Sequence, residues 1–371
     1  MVKYLIPIND LSRRTRKVSD LLVDRITNVL DSGHLILGSQ TDQLEKKLAQ
    51  MTRHKFAIAV GSGTDALTLG LRALGAAPGV TVFTTPNAGG YTTTAAKLNS
   101  AEVKYVDTDV DGSMSALDLK TKLSQSAGRS IVVVTHLFGL MTDTAQFRQI
   151  CDSFGASMVE DCAQAIGANE SEVSAGQLAD LATFSFYPTK NLGAIGDGGA
   201  IVTSDSSIAG NLRMIRQYGW GDRYEVLLEG GTNSRMDEIQ AAAILLGFED
   251  LEERNQIRRN IWQQYSLALS SSRWSIIGVP TSRFVAHLAV LVAPPGLRDA
   301  TKRNLESKEI ATSIHYPILD YMQPAWKQEV TCSNAEDMVD RILTVPLFPE
   351  LRTDEVAHVA NALKSLESEL G

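Results

Sequence analysis

The run Ser130-Ile131-Val132-Val133-Val134-Thr135 constrains the fold more than any other stretch. It carries no charge and does not alternate between apolar and polar residues. As a strand it needs cover on both faces, the mark of a parallel sheet packed between helices. The flanking sequence agrees. Phe56–Val60, Thr81–Thr84, 102–106 and 156–159 read as further short strands, and residues 66–74, Tyr91–Leu98 and 115–123 between them show helical spacing. Such alternation predicts α/β layers around a mostly parallel sheet, with ligands at the C-terminal strand ends.

Three stretches at such ends carry chemistry. A strand over 182–186 breaks at Pro188, presents Lys190, and runs into Gly193, Gly196, Gly198 and Gly199, where no side chain crowds the amine. Desolvation lowers an amine's pKa from about 10.4 and leaves it nucleophilic, as a Schiff base to an aldehyde requires. Pyridoxal phosphate is such an aldehyde, and it needs an acid near its ring nitrogen. Asp161, in Glu160-Asp161-Cys162-Ala163-Gln164, ends another strand. The third stretch, Gly61-Ser62-Gly63-Thr64-Asp65, turns a strand into a helix whose free N–H groups and positive end suit an anion, with the Thr64 hydroxyl added. Alone, this turn is equally a helix cap by Ser62 or Thr64, and it lacks both the Walker lysine and a full GxGxxG. A single lysine is ordinarily a solvated charge. The coincidence of lysine, strand-end acid and glycine turn is what singles Lys190 out.

The 371 residues suffice for about two domains. A helix over 18–30 reads as a packing helix, and the apolar loop 34–40 reads as buried before a second helix over 41–51. After a helix over 208–217 and the Ala, Ile and Leu helix 241–246, the charged helix 250–269 reads as a connector to strands over 287–292 and 310–314 flanking a helix over 297–308. The boundary is therefore expected at 249/250, giving a large cofactor-binding domain over 1–249 and a small C-terminal domain over 250–371. A net charge of −8 argues against a nucleic-acid surface. Cys151, Cys162 and Cys332 are few, lack CxxC spacing and suit a reducing compartment, and no metal is expected. Residues 1–10 hold no signal-type apolar core and no run is long enough to span a bilayer, so the expectation is a soluble cytoplasmic protein.

Taken together, Gly61 to Leu67, Glu160 to Ala165, Phe184 to Gly199, Asn233 to Ala242 and His315-Tyr316-Pro317 make the chain resemble the DegT/DnrJ/EryC1/StrS sugar aminotransferases over nearly its whole length. The resemblance implies fold type I of the pyridoxal-phosphate enzymes: a large α/β/α domain with a mostly parallel sheet plus a smaller α+β domain. It also implies amination of a keto group on a nucleotide-linked sugar, with L-glutamate as donor. By position it gives Lys190 as the Schiff-base lysine, Asp161 as the partner of the ring nitrogen, Gln164 near the ring hydroxyl and Tyr91 stacked on the ring. Gly63, Thr64 and Ser185 match the phosphate-binding turn. Asn233 matches a phosphate ligand from the neighbouring subunit, so a homodimer with shared active sites is implied, and His315 and Tyr316 match a substrate-side loop. Asn87-Ala88-Gly89-Gly90 and Gly61 depart from the family's usual residues.

Tyr218-Gly219-Trp220 with Arg223-Tyr224, and the segment from His315 to Pro324, resemble the branch acting at C-3 of a deoxysugar; the alternative is action at C-4, whose branch usually differs at both places. A sugar dehydratase of the same family would place histidine at Lys190. A noncatalytic sensor on the same fold would have no use for Asp161 and Lys190 together.

Overall fold

The structure, a computed structural model, describes residues 6–371; the extended start read at residues 1–5 lies outside them. Strands β1 (Phe56–Val60), β2 (Thr81–Thr84), β3 (Glu102–Tyr105), β4 (Ser130–Thr135) and β5 (Ser157–Asp161) alternate with helices. A short hairpin of β6 (Asn169–Glu170) and β7 (Val173–Ser174) then precedes β8 (Leu181–Ser185) and β9 (Gly199–Thr203). The central sheet has the order β1-β9-β8-β5-β4-β2-β3. Neighbours from β8 to β3 pair in parallel, whereas β9 runs antiparallel to both β8 and β1. Because β9 reverses the direction twice over, β1 points the same way as β5 and β8. Their C-terminal ends therefore share one edge of the sheet. Every residue of β4 is buried, as its uncharged sequence requires, and each of its fully buried Ile or Val side chains contributes about 1.5–3 kcal/mol relative to exposure.

The C-terminal half forms a second, antiparallel sheet of β10 (Ser275–Ile276), β11 (Ala289–Val292) and β12 (Ile342–Val345). The helices Leu251–Ala268 and Thr353–Leu370 pack together beside it. Their core also takes in Ile6 and the buried residues Leu137, Phe138 and Leu140, so the two halves share a continuous apolar contact. Charge does not keep the helix Leu251–Ala268 in solvent: Arg254, Asn255, Arg258 and Arg259 are all buried along it.

Some expectations fail for identifiable reasons. No strand forms over 310–314: Ile310 and Ser313 make only isolated bridges, to Ile6 and Thr344. The first helix covers Leu11–Ser32 because Asp10 caps it, accepting from the Ser12 N–H. Leu21, Val23 and Leu30 on that helix are each more than half exposed, and Leu35 and Ile36 in the following loop are exposed as well. Within one chain, the expected packing helix and buried loop leave much of their apolar surface open.

Candidate active site

The turn after β1 is tight because two glycines let three strand ends meet. A Cβ on Gly63 would lie 2.6 Å from the Ser185 Cβ, and one on Gly199 would lie 2.2 Å from the Ser62 carbonyl oxygen. Ser62 caps the helix Gly63–Ala73, its hydroxyl accepting from the Asp65 N–H at 3.1 Å. The cap does not use the first-turn N–H groups of Gly63 and Thr64, which a helix start leaves without intrahelical partners. Both residues line a cavity of about 600 Å³, within the usual range for small-molecule sites.

The same cavity is lined by Tyr91, Asp161, Ser185, Lys190, His315 and Tyr316. Lys190 sits in the loop after β8, whose N–H donates to the Tyr187 carbonyl. Burial pushes the Lys190 amine down to about 8, against the opposing pull of Asp161. Burial raises Asp161, while the Ala163 N–H, Lys190 and His136 work to keep it ionised. Behind Asp161, Glu160 is fully buried and accepts from His136 Nε2 and from the N–H groups of Gly176, Leu178 and Ala179. His136, Glu160 and Cys162 form the one cluster with metal-ligand proximity among the described residues. Hydrogen bonding within the fold accounts for the Glu160 carboxylate there.

The far wall comes from the C-terminal half. Tyr316 fills the space that a side chain on Gly89 would need, 2.9 Å from the Cβ position, and packs edge-on against Tyr91 with ring centroids 6.1 Å apart. Its hydroxyl accepts from Gln164 Nε2 at 3.2 Å. Gln164 Oε1 in turn accepts from the Phe138 N–H, so Gln164 lies behind the cavity wall instead of lining it. The His315 ring bonds through Nδ1 to Thr344, and burial with Lys190 nearby lowers its pKa.

Asn233 is absent from this cavity. It is exposed on the same chain, where its amide oxygen accepts from Arg235 Nε. Its neighbour Ser234 is buried and bridges to the glycine turn, accepting from the Gly61 N–H and donating to Asp65. Ser62, read from the sequence only as a helix cap, also lines the cavity, as do Tyr187 and His287, which were not singled out. Ser62 and Tyr187 lie inside the quoted motifs; His287 carries no local signal at all.

The donor set fits pyridoxal phosphate. The close approach allowed by Gly63 and Gly199 brings the first-turn N–H groups and the Thr64 and Ser185 hydroxyls to one end of the cavity, suited to a phosphate dianion. Lys190 and Asp161 supply an amine and an acid in the same space.

Comparison with known proteins agrees with this chemistry. The DegT/DnrJ/EryC1/StrS aminotransferase family profile matches residues 17–364. A UDP-N-acetyl-3-dehydro-alpha-D-glucosamine 3-aminotransferase of Acidithiobacillus ferrooxidans is 33% identical over 370 residues, covering 97% of each chain. A dTDP-3-amino-3,6-dideoxy-alpha-D-galactopyranose transaminase of Aneurinibacillus thermoaerophilus is 35% identical over 367 residues, covering 97% of this chain and 99% of its own. Among solved structures, S. venezuelae DesV in complex with a ketimine intermediate superposes with a TM-score of 0.93 at 30% identity, with 99% of each chain covered.

Proposed function

The chain belongs to the DegT/DnrJ/EryC1/StrS aminotransferase family, and from that premise we propose a pyridoxal-phosphate-dependent transaminase that converts the C-3 keto group of a nucleotide-linked deoxysugar, a dTDP-sugar, to an amine, with L-glutamate as donor. The observation that carries the chemistry is one cavity holding both a buried lysine of lowered pKa and a buried acid. The names of the two relatives above support the choice of C-3.

Pyridoxal phosphate, when bound, supplies a protonated ring that draws electron density away from the carbon being deprotonated. Asp161 holds the proton on the ring nitrogen by opposite charge, which also counters the rise that burial imposes on its own carboxyl. Gly63, Thr64 and Ser185 would hold the phosphate and Tyr91 would cover the ring face, while Gln164, behind the wall, would act on the ring-hydroxyl side by way of the Tyr316 hydroxyl to which it donates. Lys190 Nζ would take the proton from the substrate carbon and deliver it to the cofactor's C4′ carbon, across the intervening nitrogen. At a pKa of about 8 it keeps roughly a tenth of its amine neutral at pH 7. His315 and Tyr316 orient the sugar from the opposite wall.

We extend the proposal to a cytoplasmic homodimer in which Asn233 reaches the phosphate of the partner's cavity, with cofactor-binding and C-terminal units meeting at 249/250. No helix of the described residues is long and apolar enough to cross a membrane. A panel of 3-keto and 4-keto dTDP- and UDP-sugars with glutamate tests the reaction: amination confined to 4-keto sugars would overturn the C-3 assignment, and no amination of any would overturn the whole.

A further inference from the structure

The loop that presents Lys190 has little of its own to hold it. From Pro188 to Gly193 its one local backbone bond runs from the Lys190 N–H to the Tyr187 carbonyl at 2.8 Å. Among the described residues, its hydrogen bonds to other segments are a 3.4 Å contact from Arg14 to the Gly193 carbonyl and three bonds of a single side chain, that of Asn191. Leu192 adds apolar burial, which draws the loop inward but sets no direction.

Asn191 follows Lys190 directly and is 3% exposed. Its Nδ2 donates to Asn255 Oδ1 at 2.8 Å and to the Val285 carbonyl at 2.9 Å, which turns its Oδ1 toward His287 Nδ1, 3.0 Å away. The fold thereby places the His287 proton on Nδ1, where it donates to the amide. These partners stand 64, 94 and 96 residues along the chain from Asn191.

The partners are themselves fixed. Asn255, with no exposed surface, lies on the helix Leu251–Ala268 and donates its Nδ2 to the Ile166 carbonyl at 3.1 Å. It sits so close to that turn that a Cβ on Gly167 would come within 2.9 Å of Nδ2. Ile166 belongs to the turns that follow Asp161, in which the Ala165 N–H donates to the Cys162 carbonyl and the Ala168 N–H to the Ala165 carbonyl. On the other side, the Val285 N–H donates to the Gly139 carbonyl and the Leu288 N–H to the Phe138 carbonyl. Asn191 therefore ties the lysine loop to the turns after Asp161 through one intervening residue, and directly to the wall that carries His287.

An amine that must leave its partner and return needs its backbone held to within about half an ångström, and the glycines that follow Lys190 cannot provide this. We propose that Asn191 is the positioning residue for Lys190: its buried amide pins the lysine loop to the Asp161 turns and to the C-terminal wall, and so fixes where the amine sits. The inference rests on Lys190 being the cofactor-carrying amine. Burial is what lowers that amine to about 8 against the pull of Asp161, so an amine released toward solvent reports itself by a higher midpoint.

The readout is the pH dependence of Lys190 acylation in the full-length chain stripped of cofactor, followed by peptide mass spectrometry well below the melting temperature of each variant. Asn99 gives a matched control: it is 7% exposed, its amide also makes three bonds, with the Thr68 and Ala95 carbonyls and Arg72 Nε, and it does not line the cavity. In Asn191→Ala the midpoint should rise by about one pH unit or more, toward the 10.4 of a solvated lysine. Asn255→Ala, which cuts one of the three bonds and the link to Ile166, should raise it by less. Asn99→Ala should lower the melting temperature and leave the midpoint where the wild type has it. A wild-type midpoint in Asn191→Ala overturns the proposal whatever its melting temperature, and so does an equal rise in Asn99→Ala, which would make the midpoint a report of general loosening. An unchanged midpoint in Asn255→Ala beside a raised one in Asn191→Ala overturns the tie to the Asp161 turns. If Asn191→Ala does not fold, Asn255→Ala decides: a raised midpoint supports the proposal and an unchanged one overturns it. Borohydride trapping of the cofactor on the wild-type peptide containing Lys190 checks the underlying assignment separately, and its failure would remove the cofactor role while the midpoints still judge the brace.

Discussion

At the strand ends, Asp161 is 5% exposed and Glu160 has no exposed surface, with each of the Glu160 partners supplied by the same chain. The segment from Gln217 to Arg235 contrasts with this. Its base is ordered, with Tyr218 donating its N–H to the Thr232 carbonyl and Gln217 bridging Asn233. Its tip stacks Tyr218, Trp220 and Tyr224 with centroids 4.8 and 5.3 Å apart, and Arg235 and Arg223 lie over the rings of Tyr218 and Tyr224. Yet Tyr224 is 70% exposed, and Val226 and Leu227 are more than half exposed. An exposed apolar patch of this kind is a common mark of an interaction surface. Lys190 and Asp161 line the cavity within one chain, whereas the open segment carries Asn233, which we propose acts in the partner's site.

The largest expected effect breaks the finished region. Lys190→Ala should keep the fold and lose turnover by about a thousandfold or more, since no other described amine lines the cavity. Steady-state transamination beside a far-ultraviolet dichroism spectrum reads both, and retained turnover removes Lys190 from its role. Next, Asp161→Asn preserves size and hydrogen bonding but deletes the charge, so kcat should drop by roughly a hundredfold while the cofactor dissociation constant changes much less. A near-normal kcat would mean that the ring nitrogen is served elsewhere.

A third experiment addresses the open segment. Asn233→Ala should weaken cofactor retention and lower activity by about tenfold. Mixing that subunit with a Lys190→Ala subunit should restore activity, because one of the two shared sites then combines intact Lys190 with intact Asn233. If mixed dimers form and nothing recovers, the segment serves its own chain and the contrast between the regions loses its functional meaning. The smallest effect is a shift in titration. Because burial lowers the Lys190 pKa to about 8, the amine is mostly protonated below that pH and mostly neutral above it. Acylation of Lys190 in the apoenzyme should therefore rise through about pH 8, well before surface lysines near 10.4 react. A midpoint above 10 would place Lys190 in solvent.

Local pattern carried the elements best where a single requirement dominated. The strands Phe56–Val60, Thr81–Thr84 and Ser130–Thr135 and the helix Tyr91–Leu98 occur with the bounds read from sequence. Patterning misread residues 310–314, where apolar residues bury by threading between β12 and the N-terminal segment without forming a ladder. It also read Leu35 and Ile36 as buried, because hydropathy registers the need for cover and is silent on which chain provides it.

The site divides along the same line. Lys190, Asp161 and the Gly61 turn were legible because each sits at a break between strand and loop, where glycine, proline or an acid in an apolar context has a local physical cause. His287 was not. Its place in the cavity wall depends on a network with Asn191, Asn255 and Val285, whose bonded members stand up to 96 residues apart and meet only in the folded chain. By itself the sequence determined the α/β alternation, the strand ends and the amine and acid placed on them, since these follow from periodicity and turn chemistry within a few residues. The tertiary structure decided that β9 runs backwards and thereby brings the ends of β1, β5 and β8 to one edge, and it decided which protons and pKa values the cavity carries, because burial and long-range hydrogen bonds exist only once distant segments pack.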